Sequence, residues 1–185
     1  MTGSRASRAF SSRSSLLVAI AVVALSACSS PTDSVKSGRA LASEGAQSSG
    51  VVGTEHAKVG ETWWFALPVP ANTTSHPIEI TDVAVIHVPH GIKVLKYGAY
   101  SKVDTEGVPL LVREGGDAPD FARLTNHIDK PVKVAPGAES DIFYLAKLKI
   151  TSPPRGSARE CRFDYRQGDQ DYTQTLDCEV ELKTG

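Results

Sequence analysis

The stretch CRFDYRQGDQDYTQTLDCEV, residues 161–180, decides the fold. Read as a hairpin around the loop Gly168-Asp169-Gln170-Asp171, it sets Gln167 opposite Tyr172, Tyr165 opposite Gln174, Phe163 opposite Leu176 and Cys161 opposite Cys178. One face then collects Cys161, Phe163, Tyr165, Leu176, Cys178 and Val180. The other collects Arg162, Asp164, Arg166, Thr175, Asp177 and Glu179. Side chains alternate between the two faces of a strand, so a one-residue slip would send the whole apolar set to solvent. The same register brings the two sulfurs together. Directly opposed residues have Cβ atoms about 4.5–5.5 Å apart, and modest twist lets a disulfide close that gap. A closed loop of about 17 residues implies roughly 3 kcal/mol on the chain-entropy account. The outer charged pairs are solvated and contribute little.

The segments before the hairpin read the same way. Thr62 to Leu67 is an aromatic run ending at Pro68-Val69-Pro70. Ile78, Ile80, Val83 and Val85 alternate on either side of Thr81-Asp82, an interruption that suits a bulge or a bend. Pro89-His90-Gly91 marks a turn, and Ile92, Val94 and Leu95 lead on to Tyr97 and Tyr100. Val108 to Val112 is a short apolar run. Ile142 to Ile150 is a longer one, opened by Pro136-Gly137 and closed by Pro153-Pro154. Asp120 to His127 suits one turn of helix. Short strands separated by Pro and Gly predict an all-β domain, an antiparallel Ig-like β-sandwich over residues 51–185. About 135 residues suffice for one domain with one core.

The N-terminus predicts where the domain works. Arg5, Arg8 and Arg13 precede an apolar run from Leu16 to Leu25, and Leu25-Ser26-Ala27-Cys28 has the form of a bacterial lipoprotein processing site. The apolar run is about half the ~20 residues that cross a bilayer. No two arginines of the basic start are adjacent, so a twin-arginine signal is not indicated. Residues 1–27 are therefore expected to leave as a signal peptide, with lipid on Cys28 holding the protein to the outer face of the cell membrane. Residues 28–50 are rich in Ser, Gly and Ala and read as a flexible tether.

Charge and cysteine content narrow the function. The chain carries 20 Lys+Arg and 21 Asp+Glu. Residues 1–27 hold three arginines and no acid, so their removal leaves 17 against 21, a net charge of −4. That balance does not suit nucleic acid, which calls for clustered cations. With Cys28 lipidated, Cys161 and Cys178 remain as a pair in an oxidising compartment, where a disulfide is the default.

The stretch Ile78–Leu95, of the form Ile-x-Ile-x-x-Val-x-Val followed by Pro-x-Gly-Ile-x-Val-Leu, resembles small uncharacterised secreted proteins and lipoproteins of actinobacteria. So do Ala-Pro-Gly-Ala at 135–138 and the run Phe163–Thr175. The resemblance covers most of residues 60–182 and implies an Ig-like sandwich. It implies no site residues, and the Cys161/Cys178 pair lies outside the shared pattern.

Candidate chemistry is sparse. His87 and His90, three apart, are the sharpest metal candidates, with His56, His76 or His127 as further ligands for copper or zinc. Pro89 and Gly91 equally mark that pair as an ordinary strand end. The mature chain has no methionine for a copper site. Asp117, Asp120, Asp169 and Asp171 are calcium-type acids without a full calcium loop. Trp63-Trp64 puts an indole on each face of a strand. One belongs in the core. The other either faces outward, where it can stack on a sugar or anchor a partner, or is covered by a loop. There is no Gly-x-Ser-x-Gly elbow, and no cofactor is implied. The sequence thus predicts a non-enzymatic, lipid-anchored envelope protein that contacts another envelope protein. The alternative is a binder of sugar or metal.

Overall fold

The structure is a computed structural model, described over residues 35–43, 51–116 and 119–185. The signal segment, Cys28, Asp117 and most of the expected tether lie outside the described residues. Among the described residues there is no helix, and therefore none long and apolar enough to cross a membrane. Asp120 to His127 forms turns, not a helical turn.

Among the described residues, twelve strands follow in chain order. One sheet contains β1 (Lys36–Ser37), β12 (Gln170–Thr184), β11 (Ala158–Gln167), β6 (Ile78–His87) and β9 (Val132–Val134), in that order, with β3 (Val51–Ala57) also on β12. The second sheet runs β7 (Ile92–Ser101), β10 (Ile142–Ile150), β4 (Thr62–Ala66), β8 (Leu111–Arg113). A ribbon of β2 (Leu41–Ser43) and β5 (Pro70–Asn72) joins them at one margin. The result is an all-β sandwich. Its pairings are antiparallel except along β12, where β1 and β3 lie parallel, one after the other, on the same edge.

Alternation builds the core. Ile78, Ile80, Val83 and Val85 of β6, Cys161, Phe163 and Tyr165 of β11, and Leu176, Cys178, Val180 and Leu182 of β12 point inward. They meet Phe65, Tyr144, Ala146, Leu148 and Ile150 of the second sheet. Each such large side chain gains roughly 1.5–3 kcal/mol from burial. The β6 interruption is a bulge: one step on β11, Asp164 to Tyr165, matches two on β6, Asp82 to Ile80.

The hairpin keeps its faces but not its register. The turn is only Gly168-Asp169, so Gln167 faces Gln170, Tyr165 faces Tyr172 and Cys161 faces Leu176. A two-residue turn matches strand twist better than a four-residue loop, and Gly168, at φ 60°, supplies its first position. Two residues of shift preserve parity, so the apolar face is unchanged. Between Arg159 and Cys161 the register shifts again. There Glu160, at φ 60°, opposes both Asp177 and Cys178. Cys161 and Cys178, not directly opposed as expected, are bonded, with Cα atoms 5.8 Å apart.

Residues 35–43 correct the tether boundary. Expected to be flexible, they carry β1 and β2, and Ala40 and Leu41 are buried. Backbone bonds do this work: Gly38 N–H to Thr173 O at 2.7 Å, Thr73 N–H to Ala40 O at 2.8 Å. The Ala40 N–H donates to the Tyr165 hydroxyl at 3.1 Å. Gln174 clasps Leu41 at both its N–H (3.0 Å) and its carbonyl (2.5 Å).

Candidate functional site

The tryptophans part as the alternation requires. Trp63 packs partly buried against the main core, and its indole N–H donates to Glu61 at 3.3 Å. Trp64 lies on the outer face of the second sheet, yet it is buried. A second, smaller core covers it, formed with Ala66, Val69, Tyr100, Phe121, Phe143 and Leu145. Phe121 stands 5.0 Å from the Trp64 ring and 4.9 Å from Tyr100, centroid to centroid. The unbroken apolar run at 142–146 has the same cause, since that half of β10 is covered on both faces. Farther along, Lys147 and Lys149 leave the strand outward.

A cleft of about 260 Å³ opens beside Trp64. Lys147 Nζ lies 5.2 Å and Lys96 Nζ 5.6 Å from the ring centroid, distances at which a cation is attracted by the indole face. Glu114 neutralises Lys147. Lys96 has no carboxylate partner among the described residues. Trp64 therefore forms an inner wall of this cleft and not an exposed platform.

The histidines sit at one end of the sandwich. His87 Nε2 lies 3.3 Å from Glu160 Oε2, at the bulge beside the disulfide. His90 is in the β6–β7 turn, where its carbonyl accepts from the Arg155 N–H at 3.1 Å. Among the described residues no three His, Cys, Asp or Glu side chains come together as a metal site. Asp120 pairs with Arg123 and Asp171 with Arg166, each at 3.0 Å. Asp169 occupies the hairpin turn.

That same end carries a feature the histidines do not explain. The β6–β7 turn and the β10–β11 loop lock together: the Gly91 carbonyl accepts from Thr151 N–H at 2.8 Å. Gly91 has φ 92°, and a Cβ there would lie 2.6 Å from the Ser152 carbonyl oxygen. Only glycine tolerates both conditions. The locked turns frame a groove of about 460 Å³ lined by Ile86, His87, Val88, Pro89, Arg155 and Arg159, together with Gly156 and Ser157. Ile86 and Val88, 43% and 37% exposed, add aliphatic surface to it. Among the described residues neither Arg155 nor Arg159 has a carboxylate partner.

Sequence reasoning passed over this groove. One signal was available: Val83 and Val85 point inward, so Ile86, and Val88 just past the strand's end, put large aliphatic side chains where Glu79 and Asp82 stand earlier. The arginines lie about 70 residues away, and nothing in the spacing links them to the strand.

Comparison with protein-family models, curated proteins and solved structures gives no match.

Proposed function

We propose that this protein is a lipid-anchored module of the cell envelope that docks another envelope protein through the groove between the β6–β7 turn and the β10–β11 loop. The observation that carries this reading is that exposed Ile86 and Val88 share two locked turns with Arg155 and Arg159, which have no carboxylate partner among the described residues. Aliphatic and arginine side chains on a rigid frame suit a docking surface, because little ordering entropy opposes association. The groove's place in the sandwich supports the same reading. The N-terminal segment joins β12 at Tyr172 and Thr173, close to the hairpin turn. The groove lies at the opposite end of β11, about 20 Å away at ~3.3 Å per residue. The groove is therefore at the end of β11 farther from the N-terminal segment.

Two measurements test this. Mass spectrometry of the N-terminal peptide should find lipid on Cys28; an unmodified Cys28 sinks the anchored reading. A photocrosslinker placed at Val88 of the lipidated protein in intact cells should capture another protein. One at Val103, which is 83% exposed but remote from the groove, should not. Equal capture from both sites would count against docking at the groove.

One observation favours a second reading. Lys96 lies over Trp64 at the cleft mouth without a carboxylate partner, which suits a small sugar or anionic ligand. A ligand there would change Trp64 fluorescence, and Lys96→Ala would weaken binding. An unresponsive fluorescence across a panel of sugars and sugar acids disposes of it.

A further inference from the structure

We infer that the groove's partner is an acidic, extended segment of another protein, in which carboxylates flank an aliphatic residue. This rests on the docking reading and specifies the partner's chemistry. The argument is one of complementarity. Elsewhere on β11 the arginines already have carboxylate partners. Arg162 lies between Asp82 at 2.7 Å and Asp164 at 3.2 Å, and Arg166 holds Asp171 at 3.0 Å. Arg159, on the same strand, and Arg155, just before it, have no such carboxylate among the described residues. Each guanidinium presents a planar fork of donors that fits a carboxylate in two parallel hydrogen bonds.

Nearby acids do not fill the role. Glu160 faces His87, and Glu179 accepts from the Ser157 hydroxyl at 2.5 Å. In the same groove as the two arginines, Ile86, Val88 and Pro89 offer apolar surface for one aliphatic side chain. An occupant with acids flanking an aliphatic residue matches both the two guanidinium groups and the apolar surface. A basic segment would meet two unscreened positive charges. A membrane surface is the weaker candidate, because the groove lies at the far end of β11 from the N-terminal segment.

The test uses the full, lipidated chain in intact envelopes. Crosslinked peptides from a photocrosslinker at Val88 are sequenced by mass spectrometry, with and without Arg155→Glu plus Arg159→Glu. Both arginines are exposed, so unchanged thermal unfolding serves as the folding control. The captured segment should contain an aliphatic residue with at least two flanking acids. Charge reversal should reduce capture by about tenfold or more, the effect of ~1.4 kcal/mol. Arg155→Lys plus Arg159→Lys keeps the charge but not the fork, and should fall between. A captured segment lacking acids, capture unaffected by charge reversal, or peptides only from a second copy of this chain would each overturn the inference while leaving docking at the groove intact. No capture from Val88 would overturn the docking reading itself, and this inference with it.

Discussion

Tyr144 is the least satisfied side chain of the core. Its ring stands edge-on to Phe163, with centroids 5.9 Å apart. Its hydroxyl is buried and has no hydrogen-bond partner among the described residues. Burial pushes its ionisation well above the ordinary range, so it stays neutral at any working pH. A buried polar group left unmade costs about 1–3 kcal/mol. Tyr144→Phe should therefore raise the unfolding free energy by about 1 kcal/mol. Urea unfolding measures this, and a loss of stability would show that the hydroxyl is bonded after all. Glu61 behaves oppositely. The Lys58 N–H above all, then Arg113 and the Trp63 indole, hold its carboxyl below the ordinary value of 4.5, against desolvation, which raises it. A depressed folded value gives stability that is complete above the unfolded value and lost as pH falls through the folded one. Glu61→Gln should lower Tm at pH 7, and the gap to the unaltered protein should close below about pH 4. A gap constant from pH 7 to pH 3 would refute the assignment.

At the scale of elements, the faces of the strands were legible and their neighbours were not. Alternation sorted Cys161, Phe163, Tyr165, Leu176, Cys178 and Val180 inward because burial depends only on parity. Register depends on the turn and on bulges, and neither Gly168 at the first turn position nor Glu160 in its left-handed conformation announces itself by hydropathy. The Thr81-Asp82 bulge was visible because it breaks the apolar alternation. Residues 35–43 were misread for a related reason. They hold the sheet through backbone hydrogen bonds, and their small residues permit close approach instead of supplying apolar area. Gly38 is the sharpest case: a Cβ there would lie 2.2 Å from the Tyr165 hydroxyl. Gly38→Ala should detach the segment, cost about 1–3 kcal/mol as overpacking does, and expose the chain near Arg39 to trypsin. Hydrogen exchange at Gly38 and Ala40 reads the same event. Unchanged protection there would mean that the segment is not held by this contact.

Across the whole molecule, the sandwich separates two ends. At one, the N-terminal segment joins β12 beside the β11–β12 turn. At the other, Gly91 locks two turns around Ile86, Val88, Arg155 and Arg159. The Trp64 cleft lies apart, on the outer face of the second sheet. Two edge strands, β7 and β9, are guarded against indiscriminate strand pairing. Leu95 is bulged out of β7 between Val94 and Lys96, with Lys93 one residue farther on. Asn126 and His127 cap the same strand at Ala99. β9 has only three residues, with Lys133 at its centre. Such devices blunt strand-to-strand association at those two edges. The sequence supplied the fold class and the disulfide. It could not supply the groove, which exists only once β6 and the loop before β11 meet. Carbene footprinting of the lipidated protein in intact envelopes, compared with the purified protein, tests the docking surface most directly. Protection concentrated on Ile86–Pro89 and Arg155–Arg159 is the predicted result, whereas protection confined to the hairpin turn, or none at either end, would contradict it.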